Sequence, residues 1–274
     1  MTRPAAPGPT QAAPDQVRGE TAPGGEPARR AEAAPALILG ATSGIARALA
    51  RALAARGHPL MLAGRDAAAL APDAADLALR HGVETSCHAL DVETVDPGAF
   101  LDGLPRPPGL VICAIGAMPP QAEIQDRPEA VRRVIDANFA GPALLLEAAA
   151  ARLAAQPGPT ALIGIGSVAG DRGRAVNYWY GASKAGFEAA LSGLRQRHAR
   201  GGPLVVTVKP GYVDTPMTEG MDLPPALTLS AEAQAAQILR ALDRRRPLVM
   251  DLRWRLIMAA LRLIPERLWA RLRF

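Results

Sequence analysis

Tyr180 and Lys184 stand four residues apart at the head of a helical stretch, so their side chains project from one helix face. A phenol that titrates near ~10 is a poor proton carrier at neutral pH unless a cation stabilises its phenolate, and Lys184 can supply that charge. Ser167 follows the apolar run Ala161-Leu162-Ile163-Gly164-Ile165. Its hydroxyl can hold a carbonyl oxygen whose charge grows as hydride reaches the carbon. Taken singly, each has an ordinary explanation, a chance Tyr and Lys on one helix or a loop hydroxyl. Lys184 and Lys209 are, however, the only lysines beside 29 arginines, and a compact, deprotonatable ammonium is a different tool from a guanidinium.

A second group of residues has the types needed to hold a dinucleotide. Gly40-Ala41-Thr42-Ser43-Gly44-Ile45-Ala46 follows the apolar run Ala36–Leu39 and opens a pattern with Ile45, Leu49 and Leu53 at four-residue intervals. Gly40 permits a tight turn, Gly44 lets the backbone approach a pyrophosphate, and the N–H groups of the helix start offer an anion site. A glycine turn that merely joins strand to helix is the alternative. The run Leu60–Ala63 ends in Gly64-Arg65-Asp66, where Arg65 favours the 2′-phosphate of NADP(H). Asp66 either reads the ribose of NAD(H) or caps the next helix, so NADP(H) is preferred and NAD(H) stays open. Asp91-Val92 follows a third run; its carboxylate suits either the adenine amino group or a turn.

The elements that must position these residues are strands alternating with helices. Apolar runs occur at Ala36–Leu39, Leu60–Ala63, Val83–Leu90, Leu110–Ile115, Ala161–Ile165, Leu204–Val208 and Pro247–Met250, with long helical patterns over Pro128–Ala155 and Tyr178–His198. Continuous apolar strands separated by helices predict a doubly wound α/β fold, a single domain over 36–251 around a parallel sheet of about seven strands. Ligands then sit at the carboxyl ends of the strands.

From Met1 to Ala36 only Met1 and Val17 are large and apolar, amid seven prolines, so 1–35 reads as a disordered leader without the apolar segment of a secretory signal. Two cysteines and four scattered histidines offer neither a disulfide scaffold nor metal-ligand spacing, and Cys113 reads as buried filler. No run of about 18 uncharged apolar residues exists, which excludes a simple membrane span. The net charge of +5 is C-terminal in origin: ten arginines lie between Arg240 and Phe274 against Asp243, Asp251 and Glu266. They alternate with Trp, Leu and Ile, which argues against a nucleic-acid surface. Residues 252–274 predict a basic amphipathic helix, divided at Pro265, with Trp254, Ile257, Met258, Leu261, Leu268 and Trp269 on one face and Arg255, Arg262, Arg267 and Arg273 among the polar positions. Such a helix suits either a membrane interface or a packing contact. Arg172 and Arg174 suit either a substrate phosphate or solvent.

The order Gly40-x-x-x-Gly44-Ile45-Ala46, Asn138, Ser167, Tyr180-Gly181-Ala182-Ser183-Lys184, Pro210-Gly211 resembles the short-chain dehydrogenase/reductase family over Ala36 to about Met250. The resemblance implies a Rossmann fold and a cytoplasmic NAD(P)-dependent oxidoreductase, reducing a ketone or oxidising a secondary alcohol. It makes Tyr180 and Lys184 catalytic, gives Ser167 the substrate carbonyl, and has Asn138 hold a water in a proton relay. It places Gly40, Thr42, Ser43, Gly44, Ile45, Arg65, Asp91, Val92, Ala114, Gly116, Tyr180, Lys184, Pro210, Gly211, Val213 and Thr215 around the cofactor. It also implies a homo-oligomer, dimer or tetramer, through the long helices from Val131 and Tyr178. Two departures stand out: Ala46 replaces a third glycine, and Cys113-Ala114-Ile115-Gly116 replaces Asn-Asn-Ala-Gly. A narrower likeness, in Ser167–Arg174 and the tail Arg255–Arg267, is to reductases of decaprenylphosphoryl-2-keto-ribose. It implies a lipid-linked keto-sugar and a place on the cytoplasmic membrane face. A soluble reductase of a small ketone or 3-oxoacyl thioester, and a non-catalytic NADP(H) sensor, are the alternatives.

Overall fold

The computed structural model describes residues 1–2 and 33–272. Most of the expected leader, and Arg273 of the tail, lie outside those residues. The apolar runs form β1 (Ala36–Leu39), β2 (Leu60–Gly64), β3 (Thr85–Ala89), β4 (Leu110–Cys113), β5 (Ala161–Ile165) and β6 (Leu204–Val208); three shorter strands follow, β7 (Tyr212–Asp214), β8 (Thr228–Ser230) and β9 (Leu248–Val249). Seven of them make one parallel sheet in the order β3-β2-β1-β4-β5-β6-β9. The chain reverses its direction of growth between β1 and β4, the place where a doubly wound sheet opens a ligand crevice.

Both faces of the sheet are covered. Ile38, Ile112 and Ile163 point to the side packed by α1 (Gly44–Ala54), α2 (Ala71–His81) and α8 (Ala231–Asp243). Their neighbours Leu37, Val111 and Leu162 point to the side packed by α3 (Pro97–Asp102), α6 (Gly141–Ala154) and α7 (Tyr178–Arg197). Successive strand residues alternate faces, so each strand must be apolar throughout. After β4 come α4 (Gln121–Ile124) and α5 (Pro128–Ile135), and α5 runs through a π turn at Asp136–Ala140 into α6. The resulting helix is long and apolar enough by composition to cross a membrane, but its Leu145, Leu146 and Leu153 are buried in the domain's own core.

The predicted run to Ile115 stops early. β4 ends at Cys113 because the chain there crosses above Gly40, where an added Cβ would meet Ile115 at 2.9 Å. Gly40 itself has φ +76°, a left-handed backbone that favours glycine. The parallel pair β7–β8 was not anticipated, for its three-residue strands carry no apolar run.

Residues 252–272 do form helices, α9 (Leu252–Leu263) and α10 (Glu266–Trp269), divided at Pro265 as expected. Trp254, Met258 and Trp269 are turned inward. Trp254 and Met258 pack on Val168, just after Ser167, and the Trp254 ring stands edge-on to Tyr212 at 5.0 Å. The tail is therefore a packing element, with its Trp-rich face committed to the domain. Leu252, Leu256, Leu263 and Leu268 remain outside.

Candidate active site

At the end of β5 the chain stays extended through Ser167 and then turns, the Ser167 hydroxyl accepting the Ala169 N–H at 3.1 Å. Helix α7 starts at Tyr178 and packs on that turn, which brings the Tyr180 phenol beside the Ser167 hydroxyl. Tyr180 is 8 % exposed. Burial pushes its phenol above the ordinary value, while the Ser167 hydrogen bond and the nearby Arg174 charge pull against that push. One helical turn later Lys184, 3 % exposed, sends its ammonium back toward the strand ends. Nζ donates to the carbonyls of Ile165 at 3.0 Å and Ile115 at 3.3 Å. Burial pulls its pKa down to about 8.

Asn138 sits in the π turn, fully buried. Its carboxamide is engaged at both ends by one residue: Ala117 N–H donates to Oδ1 at 2.6 Å, and Nδ2 donates to the Ala117 carbonyl at 2.8 Å. Gly116 keeps the gap open between them, since a Cβ there would lie 3.0 Å from Lys184 Nζ and 3.3 Å from Asn138 Oδ1. Asn138, Ser167, Tyr180 and Lys184 thus gather beyond the ends of β4 and β5. Cys113, just below, is buried in the core with its thiol pushed up to about 11, as filler should be.

The glycine turn after β1 fits a dinucleotide. Ser43 caps α1 through the Ala46 N–H at 3.1 Å, leaving the N–H groups of Gly44 and Ile45 at the helix start without intrahelical partners. A Cβ on Gly44 would come within 2.7 Å of Thr215, so this turn faces the segment that follows Pro210, Gly211 and Val213. Pro210 is tied in turn to the serine loop, its carbonyl accepting the Val168 N–H at 3.0 Å. Asp66 proves to be a cap: its Oδ1 accepts the N–H groups of Ala68 and Ala69 at 2.9 and 3.2 Å. Arg65 is exposed just after β2 with no ion pair among the described residues, and Thr42 is exposed in the turn after β1. Asp91 is exposed and accepts the Glu93 N–H at 3.1 Å, a turn contact, while Val92 abuts Gly141 and Ala114 is half-buried. Amide donors at the start of α1 and an exposed guanidinium at the end of β2 are donor types that suit the phosphates of a nicotinamide dinucleotide.

Arg172 follows neither of the two readings open to it, substrate phosphate or solvent. It is not a free cation for a substrate phosphate, because its guanidinium donates to the Leu261 carbonyl and Glu266 and lies 4.2 Å over the Trp269 ring. Arg174 keeps no ion pair among the described residues. Sequence reasoning also missed Glu188, Asp171 and Arg262, which join Lys209 beside Ser167. Only the rarity of lysine hinted at Lys209. Trp254, expected only as part of the tail's apolar face, lies with its indole where a Cβ on Gly211 would go.

Known proteins match this architecture. The family model for short chain dehydrogenases covers residues 34–224. An uncharacterized oxidoreductase of Mycobacterium tuberculosis is 36 % identical over 88 % of this chain and 97 % of its own length. A short-chain dehydrogenase from Sphingobium yanoikuyae, solved in complex with NADPH, is similar at TM-score 0.71 and 27 % identity, over 87 % of this chain and 96 % of that one. The bulky-bulky ketone specific alcohol dehydrogenase from Comamonas testosteroni also gives TM-score 0.71, at 26 % identity over 88 % of this chain and 96 % of that one. With its sheet order, its buried Tyr-Lys pair and these likenesses, the chain belongs to the short-chain dehydrogenase/reductase family and is an NAD(P)-dependent oxidoreductase.

Proposed function

We propose that the protein is a carbonyl reductase that prefers NADP(H) over NAD(H) and runs in reverse as a secondary-alcohol dehydrogenase. The observation that carries this reading is the buried ammonium of Lys184 behind the Tyr180–Ser167 pair. When bound, the nicotinamide supplies hydride to the carbonyl carbon. Ser167 and Tyr180 hold the carbonyl oxygen, and Tyr180 gives it a proton. Lys184 lowers the cost of the phenolate left behind, an electrostatic effect strengthened by its burial. Ala117 takes one bond from each end of the Asn138 carboxamide and so holds the β4 exit in place, while the second Nδ2–H and the second Oδ1 lone pair stay available to hold the relay water. Gly40, Thr42, Ser43, Gly44 and Ile45 cradle the pyrophosphate; Arg65 takes the 2′-phosphate; Asp91, Val92 and Ala114 flank the adenosine side; Gly116, beside Lys184, and Pro210, Gly211, Val213 and Thr215 border the nicotinamide end.

The outward face of α9–α10 favours a second, narrower reading. Leu256 and Leu263 are 64 % and 83 % exposed, and Arg255, Arg267 and Arg271 of the same tail are exposed as well. Exposed leucines and arginines on one short tail suit an anionic lipid surface, so a keto-sugar carried on a polyprenyl phosphate, met at the cytoplasmic membrane face, is the substrate class we favour over a free ketone or a 3-oxoacyl thioester. Exposed Leu144 and Tyr178, on the long helices, support a homo-oligomer.

The test is NADPH and NADH oxidation with ketones that carry or lack a polyprenyl phosphate, for the wild type beside Tyr180→Phe. Turnover with NADPH that the substitution lowers by about 10² to 10⁴ is expected. Tight cofactor binding with no turnover on any ketone would point to a sensor instead.

A further inference from the structure

We propose that Glu188, held by Lys209, is a positioning residue that fixes the main chain of Ser167. The proposal rests on the reductase reading for its effect on turnover, and on independent geometry for the contact itself. Helix α7 brings Glu188 one turn past Lys184, on the same face. Its carboxylate reaches past the strand end and Oε1 accepts the Ser167 N–H at 2.8 Å. Oε2 pairs with Lys209 Nζ at 2.6 Å, both side chains being only 11 % and 12 % exposed. Lys209 also pairs with Asp171, which in turn accepts from Arg262 of α9 at 2.5 Å. The surrounding chain is built to admit this carboxylate. A Cβ on Gly166 would stand 2.4 Å from Glu188 Oε1, and one on Gly170 would stand 3.2 Å from Oε2, so the residues on both sides of the serine turn leave the room.

A buried run of alternating charges is a poor way to gain stability, because desolvation offsets much of the attraction. It is a good way to fix direction. The Ser167 N–H is held by an acceptor that is itself held, and Lys209 immediately precedes Pro210-Gly211, so the serine turn and the cofactor-side turn share one anchor. Ser167 Oγ has to meet the substrate oxygen at the same point as Tyr180, and small misplacement of such a group is costly.

The experiment is a double-mutant cycle on the full chain, with kcat, KM and NADPH affinity measured for Glu188→Ala, Glu188→Gln, Lys209→Met, Ser167→Ala and Glu188→Ala in the Ser167→Ala background. Glu188→Ala is expected to lower kcat by about ten- to a hundredfold with NADPH affinity within about twofold of wild type. Glu188→Gln keeps an amide oxygen for the Ser167 N–H and recovers most of the loss, and it serves if the alanine variant folds poorly. In the Ser167→Ala background the further loss disappears. A loss of the same size in both backgrounds, or a lower melting temperature with kcat unchanged, overturns the proposal. If the wild type reduces no ketone, the reductase reading fails alone, and amide hydrogen exchange decides this one. Exchange at Ser167 must accelerate in Glu188→Ala relative to Leu162 and Ile163 in the strand before it, and equal rates refute the contact.

Discussion

Lys184 Nζ donates to the main-chain oxygens of Ile115 and Ile165, so one ammonium joins the exits of β4 and β5 beneath Tyr180. The cost of that placement is legible in its pKa of about 8 against an ordinary 10.5, a shift caused by burial. Between those values the unfolded chain holds the proton more tightly than the folded one, so stability rises as pH climbs from about 8 to 10.5 and stands lower by about 3 kcal/mol below that window. Lys184→Met should therefore abolish turnover while raising the unfolding free energy at pH 7 by up to about 3 kcal/mol. Urea unfolding at two pH values checks this: the gap between variant and wild type should narrow at pH ~10.5. A variant less stable than wild type at pH 7 would mean that the two carbonyl contacts outweigh the buried charge.

The same titration sets a pH limit on reduction. Tyr180 must be protonated to act as the acid, and burial holds it so well into alkaline solution. Lys184 is the group that changes first. Above about 8 it becomes neutral and the developing phenolate loses its cation. The reductive kcat should fall along an alkaline limb centred near that value, and a profile flat to pH ~9.5 would show that the charge on Lys184 is dispensable.

The fold and the proposed reacting residues stand out in the sequence for physical reasons that differ. Buried parallel strands must be apolar on both faces, so runs such as Leu37–Leu39 and Leu162–Ile163 announce themselves. Ser167, Tyr180 and Lys184 were readable because the chemistry restricts residue type and one helix fixes the Tyr-Lys spacing. Glu188 shares that helix and that face, yet a glutamate on a helix is usually solvated, and nothing in the sequence says that Gly166 and Gly170 clear a space for it. Asp66 was ambiguous for the opposite reason, since a cap and a ribose ligand ask for the same carboxylate at nearly the same place. β7 and β8 escaped because three-residue strands carry no periodicity.

Cofactor choice should turn on Arg65. Asp66 spends its carboxylate on the Ala68 and Ala69 amides and leaves Arg65 as the charged group at the end of β2. Arg65→Ala should lower kcat/KM for NADPH by about ten- to a hundredfold, the worth of a charge-assisted contact, and leave NADH nearly unchanged. Equal losses with both cofactors would place Arg65 away from the 2′-phosphate.

The tail separates two jobs that its composition runs together. Trp254 is buried against Val168 and Tyr212, donates its indole N–H to the Leu227 carbonyl at 3.0 Å, and fills the space beside Gly211. Trp254→Ala should cost about 3 to 5 kcal/mol, as large core truncations do. Deleting 252–274 should therefore disturb the serine turn and the cofactor-side turn whether or not a membrane is involved, and such a deletion cannot test lipid contact. The outward leucines can. Leu256→Gln together with Leu263→Gln removes apolar surface that touches no part of the core, so stability should change by no more than about 0.5 kcal/mol per site. If α9 rests on lipid, co-sedimentation of the full chain with anionic phosphatidylglycerol vesicles should fall sharply in this double variant and survive in one carrying Leu79→Gln, an equally exposed leucine on α2. Wild-type protein that stays in the supernatant with those vesicles would remove the membrane reading and leave the reductase intact.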